Sequence, residues 1–140
     1  MKASILYRVA AVLLILFAAG HLLGFSQVDP QWHVDGLVQS MRSLHFDALG
    51  SSRSYWDFYL ASGICVGLFY LMTALLAWQM AGLSGDAHRQ MRIVAWAFAA
   101  CFAAIAVVSW LYLFVIPIAF SVAITLCLTA AAWLSRRQAA

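Results

Sequence analysis

Two ionisable residues stand inside otherwise apolar sequence and define the chemistry open to this chain. His21 lies within Gly20-His21-Leu22-Leu23-Gly24, and Asp57 lies within Tyr55-Trp56-Asp57-Phe58-Tyr59. Such a group at membrane depth is costly to hold, so it is a site candidate by default. An imidazole beside a carboxylate exchanges protons near neutral pH, which is the chemistry of a general acid–base pair. A second use is equally open. His21, Asp57, Arg53 and the Tyr59 hydroxyl would anchor the polar head of an apolar ligand, with His45 at its edge. Trp56, Trp110 and Tyr112 would complete an aromatic lining, giving a mostly apolar pocket with a few convergent polar groups.

Each of these residues also has a purely structural use. Asp57 follows Ser54 by three, a variant of the capping box with Asp in the usual Glu place. His21 suits a hydrogen bond across a helix pair. Tyr55, Trp56, Tyr59, Trp110 and Tyr112 have the character of an interfacial aromatic belt. Glycines at 20 and 24, and at 63 and 67, allow close helix approach or leave room for a ligand, and Gly63 and Gly67 offer a small-residue face for assembly. Ser121, Thr125 and Thr129 form a hydroxyl stripe suited to interhelical bonds.

No metal or cofactor is expected. The histidines show neither H-x-x-x-H nor E-x-x-H spacing, and no phosphate loop, nucleophile elbow or zinc motif is present. Cys65, Cys101 and Cys127 are odd in number, form no C-x-x-C and fall in apolar sequence, so they read as small packing residues.

The elements that must position these groups are apolar runs. Four spans are expected, at about 9–25, 55–83, 92–115 and 117–134. Each is close to the roughly 20 residues that cross about 30 Å of hydrocarbon. Backbone in lipid satisfies its own hydrogen bonds, so runs of this length are helices. Residues 93–134 are too long for one span, and Pro117 marks the fold-back, since proline suits a first helical turn and resists the interior. The longest excursion from the membrane is 26–54. There Asp29-Pro30 reads as a helix start, and Val34, Leu37, Val38, Met41, Leu44 and Ala48 recur at helical spacing. An amphipathic helix over 30–49 is expected, lying on the outer membrane surface or closing over the helices as a lid, with Gly50 as its stop.

Composition agrees. Hydrophobic residues make up 66% of the 140 positions, charged residues 9%, and mean hydropathy is +0.92. Soluble domains carry about 25% charged residues, so a soluble fold is excluded, and there is no room for a separate catalytic domain. The fold class is all-α: a single membrane domain of four transmembrane helices, one bundle, with an extracytoplasmic amphipathic helix between the first two. The net charge of +3 orients the chain and does not indicate nucleic acid. Lys2, Arg8, Arg89, Arg92, Arg136 and Arg137 flank one side of the spans, while the 26–57 segment holds Arg42 and Arg53 beside four aspartates. The positive-inside rule then places both termini in the cytoplasm of a bacterial inner membrane, with the first span a retained signal-anchor.

A Gly-His near the end of span one, a looped helix, and Arg53-Ser54-Tyr55-Trp56-Asp57-Phe58-Tyr59 opening span two resemble small bacterial four-span proteins. The layout is similar to the DoxX-like group, and to the four-span core shared by sterol isomerases and their ligand-binding relatives. That resemblance covers the first 70 residues and implies a lipid-like or small hydrophobic ligand. The further in-membrane carboxylates of isomerase chemistry are missing. Three functions follow as expectations: a binder of a lipid or small hydrophobic ligand, a membrane enzyme using His21 and Asp57 on a lipid or isoprenoid, or an accessory subunit of a membrane complex. Membrane lipids, a homo-oligomer or a larger assembly are the expected partners.

Overall fold

The computed structural model describes residues 2–138. Four helices in it are long and apolar enough to cross a membrane: α1 (Ala3–Gly24), α3 (Tyr55–Ala81), α5 (Arg92–Tyr112) and α6 (Val115–Gln138). Between α1 and α3 lie a 3-10 turn (Pro30–Trp32), α2 (Asp35–Ser43) and two strands, β1 (His45–Ala48) and β2 (Ser51–Ser54). A short α4 (Gly85–Gln90) joins α3 to α5. The protein is therefore helical with four membrane-crossing segments. The chain divides into two compact units, Met1–Phe17 with Tyr70–Ala140, and Ala18–Phe69.

The first unit is built on small side chains. Ala10, Ala11, Ala77, Ala99, Ala131 and Ala132 are buried with Leu14, Phe102, Ile124 and Leu128. Such residues let helix backbones approach closely where hydrocarbon supplies no net drive for association. Phe17 stacks on Phe120 at 5.4 Å and tilts against Tyr70 at 4.7 Å. Helices α5 and α6 form a tight hairpin that turns at Leu113 and Phe114, with Pro117 the third residue of α6. That is the place the sequence indicates, because a first-turn proline forfeits no intrahelical bond. The hydroxyl stripe behaves differently from expectation. Ser121 Oγ donates to Pro117 O at 2.7 Å and Thr125 Oγ1 to Ser121 O at 2.7 Å, so both bond back to their own helix. In hydrocarbon the nearest carbonyl one turn earlier is always in reach, whereas a cross-helix partner must be supplied.

In the second unit the 30–49 helix is corrected. Asp29 does cap Pro30–Trp32, its Oδ1 accepting from Gln31 N at 2.8 Å, but His33 turns left-handed (φ 51°) and ends that turn at once. Helix α2 starts only at Asp35 and stops at Ser43. Beyond it the chain reverses as a hairpin, with His45 opposite Ser54 and Ala48 opposite Ser51. Its two-residue loop, Leu49-Gly50, has positive φ at both positions (54° and 84°), the primed turn whose twist matches paired strands. Asp47 Oδ1 accepts from Gly50 N at 2.7 Å and closes it. Gly50 is a hairpin residue and not a helix stop.

Candidate functional site

Strand β2 runs directly into α3, and the junction fixes Asp57. Asp57 Oδ2 accepts from Ser54 N at 2.8 Å and from Ser54 Oγ at 3.0 Å, while Asp57 N donates to Ser54 Oγ at 3.3 Å. The capping box forms in both directions, which satisfies the first orphan N–H groups of a helix that begins without a preceding turn. The charged neighbours of this carboxylate are Arg53 and His45. The hairpin register brings His45 there, and its Nδ1 donates to Ser43 O at 3.0 Å. Arg53 Nη1 donates to Ser52 O at 3.1 Å. His45, Arg53 and Asp57 thus gather at the base of a hairpin, and His45 lies on a strand and not on a helix over 30–49.

His21 belongs to a different cluster. Its Nε2 donates to Gly63 O at 2.9 Å, since a carbonyl can only accept, and its ring stacks on Phe25 at 5.3 Å. Gly63 lies six residues beyond Asp57 on α3, an axial offset of about 9 Å. The two residues that an acid–base pair would bring together are therefore anchored at different levels of α3. Tyr59 closes the end of α1, its hydroxyl donating to Phe25 O. Its ring lies 5.8 Å from Phe25 and 5.4 Å from Trp56.

The glycines explain how α1 ends against α3. A Cβ on Gly63 would stand 2.2 Å from the Phe25 ring, and one on Gly67 would stand 2.3 Å from Leu22 Cδ2. Both glycines are buried, so the face expected to be open for assembly is filled by the chain itself. Gly20 and Gly24 meet nothing within 4 Å. Cys65 and Cys101 are exposed, contrary to a packing role within the chain.

Trp56 does other work. The Arg42 guanidinium sits 4.2 Å from its ring centroid, a cation–π contact that holds a long basic side chain across from α2. Arg42 in turn borders a groove of about 480 Å³ lined by Ser26, Val28, Asp35, Val38, Gln39, Arg42 and Ser43. None of the eight candidate residues lines this groove, although Trp56 positions one wall of it. Its signal was present in the sequence: positions 35, 38, 39, 42 and 43 share one helical face. Trp110 and Tyr112 belong to the first unit, exposed at the end of α5. Among the described residues no group of three or more His, Cys, Asp or Glu side chains is placed to hold a metal ion.

The arrangement therefore offers two internally bonded clusters and one groove that pairs an acid and a base with two valines. No protein-family model, curated protein or solved structure matches the chain.

Proposed function

We propose that this multi-pass membrane protein binds a lipid or small amphiphile by its polar head in the groove beside α2. The observation that carries this reading is the lining itself: Arg42 and Asp35 lie two helical turns apart on one face, with Val28 and Val38 beside them. Arg42 suits a phosphate or carboxylate, Asp35 an amine, and the valines the first methylenes of a tail. The stacked Trp56 supports it by pre-ordering Arg42, which reduces the entropy lost on binding. His21 and Asp57 then act as struts of the second unit, and an acid–base reaction between them is the weaker reading because each is committed to a different partner. The positive-inside distribution supports a bacterial inner membrane with cytoplasmic termini and the groove on the outer side.

A second reading, an accessory subunit, is favoured by one observation. Seven successive apolar or aromatic residues from Trp110 to Ile116 are all exposed at the α5–α6 turn, which suits docking against another membrane chain.

Native mass spectrometry of gently extracted protein, beside Arg42→Ala and Asp35→Ala, tests the leading reading. A discrete mass bound to the parent protein and lost from both variants is expected. A clean apo mass, or the same heterogeneous phospholipid on all three, would overturn it in favour of the accessory role.

A further inference from the structure

Three polar atoms of the first unit are buried without a hydrogen-bond partner among the described residues: the Tyr7 hydroxyl, His88 Nε2 and the Ser135 hydroxyl. They come from three different elements, α1, α4 and α6. The Tyr7 and His88 rings stack with centroids 6.0 Å apart. Ser135 is the polar neighbour of the Tyr7 hydroxyl, yet the two stop short of hydrogen-bonding geometry. Tyr7 is fully buried and Ser135 is 7% exposed, so bulk water does not serve either hydroxyl.

One orphaned polar atom in a helical core is an ordinary imperfection; three on separate helices, two of them on residues that neighbour Tyr7 and the third its own hydroxyl, are not, because each carries its full desolvation penalty. The chemistry of the trio selects what would satisfy it. His88 Nδ1 donates to Ser84 O at 3.1 Å, which fixes the tautomer and leaves the Nε2 lone pair as an acceptor. An anion would meet that lone pair. A metal ion would find one imidazole and two neutral hydroxyls with no carboxylate. An O–H group fits: it donates to Nε2, while its oxygen accepts from the Tyr7 and Ser135 hydroxyls.

We propose that Tyr7, His88 and Ser135 form a buried binding site for a single hydroxyl group, carried either by one resident water or by the alcohol end of an amphiphile. The site is independent of the groove beside α2. A buried water with three such partners is a common solution to this geometry. The alternative source differs only in what is attached to the oxygen.

The test uses the full chain in lipid nanodiscs, with histidine labelled by 15N and the His88 signal assigned through His88→Gln. His88 is expected as the Nδ1–H tautomer with Nε2 accepting a hydrogen bond. That bond should be lost in Tyr7→Phe and in Ser135→Ala, and each variant should lower Tm by about 2–6 °C. Magnetisation transfer from water to Nε2 with a clean apo mass identifies water. A discrete bound mass that leaves with Tyr7→Phe identifies an amphiphile. Unchanged or raised Tm in both variants would overturn the proposal, since deleting truly unpaired hydroxyls relieves the protein. A correlation placing the Tyr7 or Ser135 proton directly on Nε2 would overturn it as well.

Discussion

Asp57 and His21 show why some contacts of this protein are legible in its sequence and others are not. The Ser54–Asp57 box is local: the partners are three residues apart, and the geometry of a helix start dictates the bond. His21 bonds to a main-chain carbonyl 42 residues away, and every residue has such a carbonyl, so no residue type announces it. The same holds for Tyr59 and Phe25 O. Ser54 is buried and both donates and accepts in the box, so Ser54→Ala should lower stability by about 1 kcal/mol, read by thermal unfolding in detergent. Unaltered Tm would remove the box from the list of what holds the β2–α3 junction. Gly63→Ala should cost roughly 1–3 kcal/mol, because a Cβ there meets a rigid Phe25 ring. Gly67→Ala should cost less, since the Leu22 side chain it meets can rotate away. The reverse ranking in the same assay would mean that α1 does not end against α3 as described.

The hairpin is the element the sequence concealed. Apolar residues from Val34 to Ala48 recur at helical spacing, and the first nine residues after Val34 do form α2. It ends where Leu44 turns extended (φ -78°, ψ 106°), and two later residues bar a helix through to 49: Leu49 and Gly50 take left-handed backbone, which a helix cannot contain and a primed turn requires. Asn-Gly or Asp-Gly would have declared that turn, whereas Leu-Gly does not. Phe46 makes the choice worthwhile, since its ring packs 5.0 Å from Tyr55 and 5.9 Å from Phe58, contacts that a helix continued from α2 would not place at the start of α3. Leu49 itself is fully exposed and held in a conformation that costs a branched L-residue about 1–2 kcal/mol. Leu49→Asn should therefore raise Tm, and Leu49→Gly should raise it less, because glycine also loosens the unfolded chain. A fall in Tm with Leu49→Asn would show that the leucine makes a stabilising contact outside this chain.

Across the whole molecule, the four membrane-crossing helices were the most legible feature, because the length and continuity of an apolar run follow from the thickness of hydrocarbon and need no partner. Only 17% of the most apolar window of α3 is buried within the chain, and the rest is apolar surface of the kind lipid or a neighbouring membrane protein covers. The proposed topology, in which all four helices cross, puts the two termini on one side and the 26–57 segment on the other. The proposed orientation rests on the charge distribution: Arg89 and Arg92 flank the α3–α5 connection, whereas 26–57 has more aspartates than arginines. In a background with Cys65, Cys101 and Cys127 replaced by alanine, Ser52→Cys should react with a membrane-impermeant maleimide in intact bacterial cells, and Ser84→Cys only after lysis. Both positions are exposed in the structure, so a difference in labelling reports the side of the membrane and not burial. Labelling of Ser84→Cys in intact cells with protection of Ser52→Cys would invert the topology and place the groove beside α2 in the cytoplasm. Equal labelling of both before lysis would mean that the two connections do not lie on opposite sides, and that α3, the helix between them, does not cross.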